Sequence, residues 1–309
     1  MTATVYVSRG RRRRRHAMAV VAMSLVAVTG WKAVDALLPA GSSGGGSGHR
    51  WASAAWPAQG AAAVAIGTRR VHTAGTAQPA PIASLAKVMT AYVVLRSRPI
   101  SAQDPGFTVT ITSDDVADTE RRRAEGQSVV DVVAGEKLTE RQALQALLLP
   151  SANNIAVVLA DAVSGTVEDF VADMNAAARR LAMRSTVYTD PSGYDPGTVS
   201  TARDQLVLAR AAMRVHEFAE IVAEPQALVP QAGVVYNTDG LVGRDGFLGV
   251  KTGSDMAAGG CFMFVVRGPH PGQLTYGVVL GQRDGPLIAA ALGAAQRLAD
   301  SVRSRSAVA

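Results

Sequence analysis

Of the 31 basic residues in this chain only four are lysine, at positions 32, 87, 137 and 251. A guanidinium stays protonated in a protein, whereas a desolvated lysine loses its proton and acts as a general base. Lys87 stands three residues after Ser84, a spacing that puts both side chains on one face of a helix. Pro81 and the small residues before Ser84 favour a helix start there, which sets the hydroxyl near an amide-rich N-terminus. A serine is a weak nucleophile until a neighbouring base takes its proton. A Lys87 buried against Val88, Met89 and Val93 is suited to be that base, and the chemistry of such a pair is acyl transfer through a serine ester. Two further groups accompany it. Ser151-Ala152-Asn153 follows Pro150, and Lys251-Thr252-Gly253 ends a predicted strand where Gly253 lets a ligand backbone lie close. Singly, each has a plain structural reading: a capping serine with a solvated lysine, a second capping serine with a polar asparagine, and a strand end with an exposed lysine.

The three together, in the order S-x-x-K, S-x-N, K-T-G, are far more specific than any one of them. Longer stretches share the pattern: PIASLAKVMTAYVVL (81–95), AGEKLTERQALQALLLPSANNIAVVLAD (134–161), DPSGYDPGTVSTARDQLVLAR (190–210) and GFLGVKTGSDMAAGGCFMF (246–264). Over about residues 52–300 the chain resembles the serine D-Ala-D-Ala carboxypeptidases, the low-molecular-mass penicillin-binding proteins. The resemblance implies a β-lactamase/transpeptidase-like α/β fold, an antiparallel sheet flanked by helices with an inserted all-helical subdomain. It implies Ser84 as nucleophile, Lys87 as base and Ser151 as proton relay to the leaving amine. Asn153, Lys251, Thr252 and Gly253 would bind substrate, and the backbone N–H groups of Ser84 and Ser254 would form an oxyanion hole. The implied partners are a peptidoglycan stem peptide ending in D-Ala-D-Ala and the β-lactams that mimic it, with no cofactor and no metal.

The alternatives of related chemistry are a DD-transpeptidase and a β-lactamase, the latter disfavoured because no E-x-x-L-N loop follows Ser151. A non-catalytic penicillin or muropeptide sensor is the alternative of another class, disfavoured by three intact motifs. Asn154 stands where the family often has Asp, and Asn237-Thr238-Asp239 resembles its Asn-x-Asn; neither is expected to touch an assigned role. Some members use an Arg after the last strand for the substrate carboxylate. Arg283 is nearby, with its register open and a surface role equally available.

The elements that must position these residues are legible in outline. Strands are expected at Ala61–Ile66, Arg70–Thr73 and Thr108–Thr112, and again at Gly246–Thr252, Gly260–Val266 and Leu274–Gly281. Helices are expected at Ser84–Arg96, Ser113–Asp118, Glu140–Leu149, Ser151–Val163, Val167–Met183, Ala202–Val215 and Pro286–Val302. Thr139 with Gln142, Thr166 with Asp169 and Thr201 with Asp204 supply start signals. Strands at both chain ends with helices between them predict one sheet with a helical insertion.

Charge and hydropathy bound the rest. The formal charge is +6, but Arg9 and Arg11–Arg15 account for it, leaving 25 basic and 25 acidic residues in 17–309. No second basic cluster with interleaved aromatics exists, so nucleic acid is excluded as a partner. The five His are scattered without ligand spacing, and lone Cys261 reads as a small buried hydrophobe. The arginine run and the apolar run Ala17–Thr29 read as a signal peptide or signal-anchor, too short for the ~20 residues of a full span. The predicted organisation is a leader (1–40), a Gly/Ser linker (41–51), a catalytic domain (52–304) and a tail (305–309). The chain is expected to be extracytoplasmic, touching membrane only through its N-terminal segment.

Overall fold

The computed structural model describes Trp51, residues 54–268 and residues 270–306, all within the unit Gly48–Ala309. The expected leader, the linker before Trp51 and the last three residues of the tail lie outside the described residues.

Strand β1 (Ala61–Ile66) reads AAAVAI and is buried at all six positions; alternation is absent because both its faces are covered. Strand β2 (His72–Gly75) pairs back along it from Val64↔His72 to Ala61↔Gly75. It starts later than the expected Arg70 because the turn is longer, with Gly67 donating to Leu274 O and Arg69 to Ile66 O. Short β3 (Ala80–Pro81) leads into a 3-10 turn, Ala83–Leu85, and then α1 (Ala86–Ser97). Nine of the twelve residues of α1 are buried, the mark of a helix enclosed on all sides.

After β4 (Thr108–Thr110), Thr112 and Asp115 form a reciprocal capping box, and α2 (Ser113–Ala124) continues past the expected end at Asp118. Its arginines explain the extension: Arg121 and Arg122 both pair with Asp118 one turn back. Strand β5 (Lys137–Thr139) ends in the expected Thr139/Gln142 capping box, which opens α3 (Glu140–Leu148). Helices α4 (Asn153–Ser164) and α5 (Val167–Arg180) follow. The second stops short of the expected Met183 because Ala182 turns left-handed at φ 56°. Strand β6 (Val199–Ser200) pairs with β3, and Thr201 caps α6 (Ala202–Ala212). Helix α7 (His216–Val222) and the hairpin β7 (Gln226–Val229)–β8 (Gly233–Tyr236) had no sequence signal strong enough to announce them. Strands β9 (Phe247–Asp255), β10 (Gly259–Arg267) and β11 (Leu274–Gln282) precede the terminal helix α8 (Leu287–Ser306).

The main sheet has the order β2-β1-β11-β10-β9, antiparallel throughout, so both chain ends contribute to it and the helices are inserted between. Helix α8 covers one face through Ala291, Ala295 and Leu298, against Phe247, Phe262 and Phe264. Those rings pack with centroids 5.7–6.5 Å apart. Phe264 lies flat over Gly277, where a Cβ would stand 2.1 Å from its ring. The other face, carrying Val250, buried Cys261, Met263 and Val278, meets α1 and the helical layer. Trp51 stacks on His72 at 4.0 Å, against the β2 edge. No described helix is long and apolar enough to cross a membrane. The site lies at the opposite edge, where the helical layer meets β9.

Candidate active site

Ser84 is the middle residue of the 3-10 turn and Lys87 the second residue of α1, so the α-helix begins two residues after the expected Ser84. The residue before the serine, Ala83, has φ 46°, a left-handed conformation that strains a residue with a Cβ by about 1–2 kcal/mol. That turn is held from outside. A Cβ on Gly193 would lie 1.9 Å from Ala83 O, so only glycine lets the 190–193 loop close onto it.

Lys87 is completely buried. Its Nζ lies 2.8 Å from Ser84 Oγ, 2.6 Å from Asn153 Oδ1 and 2.9 Å from Ser192 O. A neutral amine has two N–H donors and one lone pair. With Asn153 and the Ser192 carbonyl taking the donors, the lone pair is aimed at the Ser84 hydroxyl. The electrostatics favour that state: burial holds Lys87 well below the usual lysine range, with Lys251 and Arg122 adding to the effect and Asp190 opposing it.

Asn153 is fixed by donating Nδ2 to Gln127 Oε1 at 2.8 Å and its amide to Ser128 O at 2.7 Å. Ser151, expected to open a helix, does not. It sits at φ 70°, and α4 starts at Asn153 with no side-chain cap. Its hydroxyl is buried and has no hydrogen-bond partner among the described residues, so it is uncommitted to structure. Asn154 turns away from the pair, donating to Val130 O and Thr119 Oγ1 and accepting from Val130 N.

Lys251, Thr252 and Gly253 lie inside β9, which runs on to Asp255 rather than ending at Thr252. A Cβ at Gly253 would lie 2.9 Å from the Ser84 amide nitrogen, so glycine is what brings this edge against the nucleophile's backbone. Ser254 is next along the strand, paired with Gly260. Lys251 is buried, and Nζ donates to Thr252 O at 3.0 Å. Burial pushes it down to about 7, Asp239 opposing. The Thr252 and Thr238 hydroxyls share a 2.6 Å hydrogen bond. The expectation that Asn237-Thr238-Asp239 touches no assigned residue is therefore wrong: the segment is bonded to β9. Arg283 is exposed and donates to the carbonyls of Met256 and Ala257, clasping the β9–β10 turn.

Several contributors escaped the sequence reading. Asp190 organises its loop by accepting from Ser192 N and Oγ, Tyr194 N and Thr198 Oγ1. Thr90 on α1 donates to Pro191 O at 2.6 Å. Loop 190–193 thereby presents the Ser192 carbonyl to Lys87. The only local signal was the turn composition Asp-Pro-Ser-Gly, which says nothing about its target.

A family model for D-alanyl-D-alanine carboxypeptidases matches residues 51–283. The chain belongs to that family. Among relatives, DacB2 of Mycobacterium tuberculosis, a D-alanyl-D-alanine carboxypeptidase, is 40% identical over 185 residues, covering 58% of this chain and 59% of that protein. DacC of Escherichia coli is 30% identical over 213 residues, 65% of this chain and 50% of that one. The chain thus spans about half to three fifths of those relatives' length. The crystal structure of the Streptomyces K15 DD-transpeptidase superposes with a TM-score of 0.68 at 27% identity, covering 79% of this chain and 96% of that one. The expected transpeptidase-like fold is the family's fold and the one observed.

Proposed function

We propose that the chain is a serine D-Ala-D-Ala carboxypeptidase that removes the terminal D-alanine from peptidoglycan stem peptides. The observation that carries this is the 2.8 Å contact between Ser84 Oγ and a buried Lys87 Nζ whose other two neighbours are acceptors. In acylation, Ser84 Oγ attacks the carbonyl carbon between the two D-alanines as its proton passes to Lys87. The oxyanion accepts from the Ser84 and Ser254 amides, and such a donor is typically worth ~3–4 kcal/mol of barrier. The C–N bond then breaks, and Ser151 Oγ relays the proton from Lys87 to the departing nitrogen. Water, deprotonated by Lys87, hydrolyses the ester and frees Ser84. Lys251 and Thr252 hold the terminal carboxylate, with the peptide laid edge-on to β9, while Asn153 positions its backbone.

Penicillins, sharing that carboxylate and acyl geometry, would acylate Ser84 and leave slowly. The arginine run and apolar segment near the N-terminus support an extracytoplasmic enzyme, secreted or tethered there. The test is release of D-alanine from diacyl-L-Lys-D-Ala-D-Ala, abolished in Ser84→Ala, with a fluorescent penicillin mapped to the Ser84 peptide. Equal release by Ser84→Ala would remove the nucleophile. The likeness to a DD-transpeptidase favours transfer to an amine as a second reading, and adding an amine acceptor to the same assay separates the two products.

A further inference from the structure

The segment before the β9 turn is anchored to the site by several bonds. Thr238 donates its amide to Leu149 O at 3.0 Å and shares its hydroxyl with Thr252. Asn237 accepts from the Asp239 amide and donates to the carbonyls of Val222 and Glu224. Asp239 is therefore held one residue beyond the Thr238–Thr252 contact, as Lys251 stands one residue before it on β9. Asp239 is 3% exposed and Lys251 1%. Asp239 Oδ1 accepts from the Leu241 amide at 2.9 Å, while Oδ2 is buried with no hydrogen-bond partner among the described residues. Among the described residues the Lys251 amine donates to a single carbonyl, its own neighbour's. A buried carboxylate with an unsatisfied oxygen is costly, and an apolar residue would serve packing better.

We propose that Asp239 is a positioning residue for Lys251, the counter-charge that keeps this amine protonated so that it meets the substrate's terminal carboxylate as a cation. This rests on the carboxypeptidase reading of the site. Burial drives Lys251 down to about 7, and Asp239 is the charge that opposes it. Lys87 on α1 is a second basic group whose charge is coupled to Lys251, and Asp190 and Arg122 act on Lys87 in turn. Burial raises Asp239 to about 6, offset by the Leu241 amide and Lys251, so it is ionised where Lys251 begins to deprotonate. Without it, Lys251 loses its proton at lower pH.

The experiment is the pH profile of kcat/KM for D-alanine release by the full chain and by Asp239→Asn and Asp239→Ser, both of which keep an acceptor for the Leu241 amide. The alkaline limb should move to lower pH, with about a tenfold loss at pH 8, one pKa unit's worth. The loss should sit in KM, and the profiles should converge below pH 6, where Asp239 is itself protonated. A simple arylboronic acid without a carboxylate, which adds to Ser84, should inhibit all three equally. Coincident limbs, or a pH-independent loss shared by the boronic acid, would overturn the inference while leaving the carboxypeptidase reading intact. No D-alanine release by the unaltered chain would instead remove that reading and the inference with it.

Discussion

The carbonyl oxygen of Ser192 lies 2.9 Å from Lys87 Nζ, across 105 residues of sequence. It takes one donor of the amine and so helps decide where the lone pair points. The loop that supplies it is locked by Gly193, at φ +79° with Ala83 O where a Cβ would be. Gly193→Ala should therefore displace both the general base's acceptor and the nucleophile's turn. We expect a stability loss of about 2 kcal/mol or more. Penicillin acylation should slow on the order of 100-fold, the cost of an ångström-scale misplacement. Denaturant titration and stopped-flow acylation measure the two.

That relationship also marks the limit of what the sequence carries. The start signal Thr139/Gln142 was readable because both partners sit within one turn, and Ser84/Lys87 for the same reason. Asp190, Thr238 and Asp239 were not, because their targets Lys87, Thr252 and Lys251 are chosen by tertiary packing. Ser151 was misread as a helix opener because serine before a helix ordinarily caps, whereas here φ 70° turns it out of the helix. Helix α7 and the β7–β8 hairpin are too short for periodicity to declare them, and α7 lacks a side-chain cap. The sheet was readable at its core strands because β1, β10 and β11 are apolar runs and β9 carries the K-T-G motif.

Lys251 should act against stability. Its folded pKa of about 7 lies below the unfolded 10.5, so the unfolded chain binds the extra proton between those values. The penalty is complete below pH 7 and fades as pH rises toward 10.5. Allowing for the lost bond to Thr252 O, Lys251→Met should be roughly 1–3 kcal/mol more stable at pH 6 while failing on peptide substrates. Calorimetry across pH should show the two melting temperatures converging in alkali.

Glu140 has the opposite sign. It is fully buried at the start of α3, and neither carboxylate oxygen has a hydrogen-bond partner among the described residues. Burial lifts it from 4.5 to about 7, partly offset by the Phe107 backbone and Arg98. The folded state holds the proton longer, so stability falls as pH rises from 4.5 through 7. Glu140→Gln should match the unaltered protein near pH 4.5 and exceed it at pH 8 by about 1–3 kcal/mol, the lower figure allowing for screening. Urea midpoints at the two pH values would test this, and equal midpoints at pH 8 would refute it.

Cys261 is buried on β10 opposite Gly253, and burial pushes its thiol up to about 12. Iodoacetamide at pH 8 should leave it unlabelled and penicillin acylation unchanged, reaction appearing only in denaturant. Mass spectrometry before and after unfolding gives the answer directly.

The main sheet has two different rims. At one, Trp51 stacks on His72 of β2; at the other, β9 carries Lys251 to Ser254 beside Ser84. The rim that Trp51 marks is the one farthest in strand order from the reacting serine. A fluorophore or a resin attached to β2 should leave the β9 edge unobstructed, making that rim the handle for immobilising the protein in working form.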